Sequence, residues 1–111
     1  MQTVLNKLIS NAIIYSPENE DIIINLFEIN KRVSETLVRF SIENTGISLN
    51  KEKLTKIFDP LYRVESSRNK NTGGTGLGLY FVDQILKNHE FFYKMFSREN
   101  STIFIVDFKT L

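Results

Sequence analysis

Gly73-Gly74-Thr75-Gly76-Leu77-Gly78-Leu79 leads straight into a helical pattern, and the fold can be read outward from it. From about Gly78 to Asn88, the residues Leu79, Phe81, Val82, Ile85 and Leu86 recur on one side of a helix. Glycines permit positive φ and let a ligand approach the backbone closely. A helix N-terminus adds free amides and positive partial charge, and the two features together suit phosphate. The same glycines would also serve as a plain hinge. Two phosphate motifs are excluded by context. A P-loop continues with Lys and Ser or Thr, where this chain has Leu77-Gly78-Leu79. The dinucleotide fingerprint follows directly on a strand, and here a polar segment comes first.

That segment, about 60–77, has little apolar periodicity; a connection of this length is usually a lid, a binding loop or disordered. Arg63, Arg68 and Lys70 against Glu65 make it locally basic. Guanidinium groups there could neutralise a polyphosphate, although a solvated surface loop has the same composition. A short helix is predicted before it, from about Lys51 to Phe58. Residues 21–29 are rich in β-branched side chains, with Ile22, Ile24 and Leu26 on one side. Residues 36–43 alternate, Val38, Phe40 and Ile42 against Arg39, Ser41 and Glu43, and the polar turn Asn30–Glu35 makes the two runs a hairpin. A second pair of strands, 91–97 and 102–108, flanks Arg98-Glu99-Asn100-Ser101. At the front, Val4, Leu5, Leu8, Ile9, Ala12 and Ile13 form a helical stripe over 3–14 that faces a core, closed off by Ser16-Pro17. Helix, strand, strand, helix, lid, helix, strand, strand predicts an α+β fold, a mostly antiparallel sheet with helices on one face.

The 111 residues fit one domain, 1–111, and are too few for a cleft between two domains. A net charge of +1 gives no field for nucleic acid or an anionic membrane. With no Cys, disulfides, zinc knuckles and thiol catalysis are excluded. No apolar run approaches the roughly 20 residues of a membrane span, and the N-terminus has no signal-peptide layout.

Two further groups carry possible chemistry. Lys7 and Asn11 share one face of the first helix beside its core stripe. The Asn11 amide oxygen could serve Mg²⁺, which takes few protein ligands, or could bond a neighbouring loop. Asn44-Thr45-Gly46 ends a strand, where a side-chain carbonyl could accept from the amino group of a base, or where the triplet is simply a turn.

In this order, the four signals resemble the catalytic ATP-binding domain of two-component sensor histidine kinases, within the superfamily that includes gyrase-type and Hsp90-type ATPases. Leu8-Ile9-Ser10-Asn11-Ala12-Ile13-Ile14-Tyr15-Ser16-Pro17 looks like the N box. Asn44-Thr45-Gly46 stands at the first glycine box, Ile57-Phe58-Asp59-Pro60-Leu61-Tyr62-Arg63 at the F box, and Gly74-Thr75-Gly76-Leu77-Gly78-Leu79 at the second glycine box. The resemblance implies a Bergerat-type two-layer α/β sandwich, a mixed sheet under about three helices with a flexible ATP lid. It implies ATP and Mg²⁺ as ligands. Asn11 would hold the metal, Tyr15 would pack on the adenine, Asn44 would read its amino group, Gly46 would let the base approach, and Thr102 would lie nearby. Gly74, Gly76, Leu77 and Gly78 would cradle the phosphates, with Arg63 and Arg68 as further contacts.

The implied partners are a phosphoacceptor and dimerisation domain of the same receptor and a downstream response regulator. The domain itself would be cytoplasmic and monomeric, within a parent that is an integral membrane receptor. Several positions depart from the pattern. Lys7 replaces an Asn and Ile14 a frequent Lys, so that one cation could have moved along the helix. Asn44 replaces an Asp, Ser48 a glycine, and Asn100-Ser101 a glycine-containing turn. The reduced Asn-Thr-Gly box also resembles sensor kinases of the vancomycin-response type. These departures leave a rival reading, a docking module that keeps the fold without nucleotide. His89, the one histidine, is expected to be structural, and the chain is expected to be part of a longer receptor.

Overall fold

Alternation in 36–43 and β-branching in 21–29 place the first two strands side by side, and the computed structural model extends both. It describes residues 2–32, 35–60 and 78–109. In chain order these form α1 (Gln2–Tyr15), β1 (Ile22–Arg32), β2 (Glu35–Thr45), α2 (Lys51–Lys56), α3 (Gly78–Asn88), β3 (Phe92–Arg98) and β4 (Ser101–Lys109). The predicted elements are present with their types and order. The first hairpin ladder runs on to Arg32 opposite Glu35, into the turn expected over Asn30–Glu35. The α2 helix is capped by Asn50, whose side chain accepts from the Lys53 amide, and it ends before Ile57.

The sheet order is β1-β2-β4-β3, and every described pairing is antiparallel. The two hairpins lie next to each other, joined by β2 and β4. On one face Phe40, Ile42, Phe104 and Val106 meet Val4, Leu8 and Ala12 of α1 and Val82 and Leu86 of α3. Burying each large aliphatic side chain there contributes about 1.5–3 kcal/mol. On the other face, Arg39 and Asp107 are cross-strand partners. Arg39 grips the carboxylate with two of its nitrogens, Nε to Oδ1 at 2.7 Å and Nη2 to Oδ2 at 2.9 Å, and the Asp107 side chain is 1% exposed. The Asp107 hydrogen bond holds the Arg39 pKa above its ordinary value.

Two expectations about the core are corrected. Ile24 and Leu26 on β1 are 48% and 67% exposed, and Ile13 on α1 is 61% exposed. The cause is placement: α1 packs on α3 and β2, while β1 lies at the sheet edge beyond the helical layer. Periodicity identifies which residues share a face but not whether that face is covered.

Candidate functional site

The last turns of α1, the end of β2, the start of α3 and the β3–β4 hairpin converge on a small, open cleft. Leu8, Ala12, Ile42, Leu79, Met95 and Phe104 supply apolar walls, and Asn11, Asn44 and Thr102 supply the polar groups. A few polar groups on an apolar lining is the usual composition of a small-molecule site.

Asn44 and Thr102 face each other across β2 and β4. Asn44 Nδ2 donates to the Ala12 carbonyl at 2.8 Å. That carbonyl belongs to the last turn of α1, where no further helical amide is available to it. A carboxylate would instead set an acceptor against an acceptor at the negative end of a helix dipole. The amide thus caps α1, which gives a physical reason for Asn at this position. With Nδ2 engaged there, Oδ1 has no bonding partner among the described residues.

Asn11 is half-buried, lines the cleft and has no hydrogen bond among the described residues. A hard amide oxygen without a partner fits Mg²⁺, which completes its shell with phosphate oxygens and water. Among the described residues no group of three His, Cys, Asp or Glu could hold a metal. An ion here would therefore depend on the charge of its ligand.

The loop after β2 is tied to the hairpin by several bonds. The Gly46 amide donates to the Asn100 carbonyl at 2.8 Å, and Ser48 Oγ donates to the Arg98 carbonyl at 2.9 Å. The Leu49 amide donates to Ser97 Oγ, Ser97 Oγ and Thr102 Oγ1 share a bond, and Thr102 Oγ1 donates to the Ile47 carbonyl, each at 2.9 Å. Ser48 thus makes a bond that the glycine it replaces could not make.

Phe58 packs edge-on against Tyr93 and Phe104, with both ring centroids 5.9 Å away. The Tyr93 hydroxyl donates to Asp83 on α3, and Lys87 Nζ lies 3.2 Å from the same carboxylate. Tyr93 therefore joins the elements on either side of residues 61–77.

The residues singled out from sequence are distributed as follows. Asn11, Asn44 and Thr102 line the cleft, and Gly78 opens the helix whose next residue, Leu79, lines it. Tyr15, the last residue of α1, packs against the core and is not among the lining residues. Gly46 does not line the cleft either. Its φ of +82° favours glycine, but the space at its Cα is taken by Glu20, whose Oε1 would lie 2.8 Å from an added Cβ. Thr45 Oγ1 holds that side chain through Glu20 Oε2 at 2.8 Å. Arg63, Arg68, Gly74, Gly76 and Leu77 lie outside the described residues. Lys7 does not reach the cleft: its Nζ sits 5.4 Å from the Phe81 ring centroid on α3. His89 bonds the Ile85 carbonyl through Nδ1 at 2.9 Å. Sequence reasoning missed Ser97, although positions 97 and 102 flank one hairpin turn and so had to be neighbours.

Residues 1–110 match the family model described as histidine kinase-, DNA gyrase B-, and HSP90-like ATPase. The chain belongs to this family. It is 38% identical over 86 residues to the sensor histidine kinase WalK of Bacillus subtilis, covering 78% of this chain and 14% of WalK. It is 35% identical over 104 residues to the sensor protein VanS of Enterococcus faecium, covering 94% of this chain and 26% of VanS. The chain thus spans about a quarter or less of these curated relatives. A solved structure of the catalytic domain of histidine kinase ThkA superposes with a TM-score of 0.73 at 28% identity, covering 97% of this chain and 64% of that one. The mycobacterial sensor histidine kinase MprB superposes at 0.78, over 96% of this chain and 70% of that one, and at 19% identity it shows the fold alone. Among the described residues no helix is long and apolar enough to cross a membrane.

Proposed function

We propose that this domain binds Mg-ATP in the cleft and presents the γ-phosphate to a histidine on a separate dimerisation domain, in two-component signal transduction. The supporting observation is the convergence of Asn11, Asn44 and Thr102 on one apolar cleft beside the N-terminus of α3. Asn44 Oδ1 would accept from the adenine amino group, with Thr102 beside it. Tyr15 and Gly46 would border the base once Glu20 moves aside. Asn11 Oδ1 would hold Mg²⁺, which supplies charge neutralisation for the phosphates when bound. The amides of Gly74, Gly76, Leu77 and Gly78 would cradle the phosphates, and Arg63 and Arg68 would screen their charge. Phosphoryl transfer of this kind rests on positioning and electrostatics, so the domain needs no nucleophile of its own. The downstream partner would be a response regulator. The parent would be a membrane receptor with this domain on the cytoplasmic side.

Calorimetric titration of ATP with and without Mg²⁺, beside Asn11→Ala, tests the reading. Mg²⁺-dependent binding is expected, weakened at least tenfold in the variant, since a hydrogen bond or ligand to a charged group is worth about 1.5–3 kcal/mol. No heat at millimolar ATP would favour a docking module that keeps only the fold.

A further inference from the structure

The polar wall of the cleft has a direction built into it, and the chain of bonds that sets it passes through Ser97, a residue that does not line the cleft. The Thr102 hydroxyl has one proton, and the Ile47 carbonyl, which can only accept, receives it at 2.9 Å. The proton in the Ser97–Thr102 bond must then come from Ser97. Ser97 Oγ in turn accepts from the Leu49 amide. The chain runs one way: Leu49 N–H to Ser97, Ser97 O–H to Thr102, Thr102 O–H to Ile47. A hydroxyl oxygen carries two lone pairs, and Thr102 has spent only one of them. Thr102 is one of the residues lining the cleft, next to Asn44, whose Nδ2 is engaged by Ala12, and what its hydroxyl can still offer there is an acceptor.

We infer that Ser97 is a positioning residue for purine specificity: it keeps the Thr102 proton off the cleft, so that this wall takes a 6-amino purine and rejects a 6-oxo purine. The inference rests on the nucleotide-binding reading above. Ser97 acts at both ends of the Thr102 hydroxyl. It donates to the oxygen, and through the Leu49 amide it anchors the loop that carries the Ile47 carbonyl. Without it, the loop that carries the Ile47 carbonyl loses one of its anchors, the carbonyl's hold on the Thr102 proton loosens, and the hydroxyl can turn that proton into the cleft and meet a 6-oxo group.

The test compares ATP with inosine triphosphate, whose base has an oxo group at position 6 in place of the amino group and a proton on N1. Dissociation constants for both are measured by titration on the full chain, on Ser97→Ala and on Ser97→Thr. The wild type is expected to prefer ATP. In Ser97→Ala the preference should fall about tenfold, the worth of one hydrogen bond, with ATP weakened and inosine triphosphate unchanged or tighter. Ser97→Thr keeps the hydroxyl and should restore the preference. If Ser97→Ala weakens both nucleotides equally, Ser97 only holds the loop, and the inference is overturned while the nucleotide site stands. If the wild type binds neither, both fall together.

Discussion

Glu90 holds a backbone conformation in which glycine is the usual residue. At the end of α3 the Phe91 amide bonds the Leu86 carbonyl and the Glu90 amide bonds that of Lys87, the paired bonds of a Schellman cap. The residue between needs a left-handed conformation, and Glu90 has φ of +58°. A side chain there costs roughly 1–2 kcal/mol, partly offset by the extra freedom glycine would have when unfolded. Glu90→Gly is therefore expected to stabilise the domain by about 1 kcal/mol, a rise of roughly 4 °C in Tm, read by thermal unfolding. Loss of stability would mean that the Glu90 side chain makes a contact worth more than the strain. Asn100 meets the same demand more cheaply at φ +66°, since Asn tolerates this region, which accounts for an Asn in the hairpin turn.

Between elements, Tyr93 links β3 to α3 through Asp83 and receives Phe58 from beyond α2. Burial, followed by the bond to Asp83, pushes the Tyr93 phenol above its ordinary value. The sign follows from linkage. A pKa raised by folding gives stability that is complete below the unfolded value of about 10 and is lost as pH rises through the higher folded value. Tyr93→Phe removes the hydroxyl and keeps the ring. It should cost about 1–2 kcal/mol in urea unfolding at pH 7, the worth of a hydrogen bond to a charged partner. The gap from wild type should hold to about pH 9 and narrow above pH 10. A gap that stays constant at high pH would show that the phenol is not the donor. This link was not legible in the sequence, because Asp83 and Tyr93 lie in different elements and neither stands out by type. The elements themselves were legible, since a period of 3.6 or 2 is written locally. The coverage of β1 was not: Leu26 sits on the same face as Phe40, and only the lateral position of α1 leaves it in solvent.

For the whole molecule, the glycine-led helix, Asn11 on the polar edge of α1 and Asn44 near the end of β2 were legible from residue type and position, whereas Thr102 was named only through the family resemblance. The direction of the bonds among them was not legible, since it depends on which carbonyls the fold brings near. The same geometry bears on chemistry. The only histidine, His89, lies beyond the C-terminal end of α3, while Gly78, one of the residues proposed to cradle the phosphates, opens that helix. At about 1.5 Å per residue, the two are separated by roughly 16 Å, whereas reacting atoms must approach to about 3 Å. Nor does a carboxylate stand one turn before Asn11 to activate water. Lys7, one turn before Asn11, is a cation held over Phe81, and a protonated amine cannot act as a general base. The chain incubated with γ-labelled Mg-ATP is therefore expected to release phosphate no faster than about the buffer rate and to acquire no label. His89→Asn should change neither result nor the affinity for ATP. Label on His89 would require two chains to meet, one offering the histidine to the other's cleft. Sustained hydrolysis would instead require a group that activates water and would move the domain toward the gyrase-type ATPases of its family.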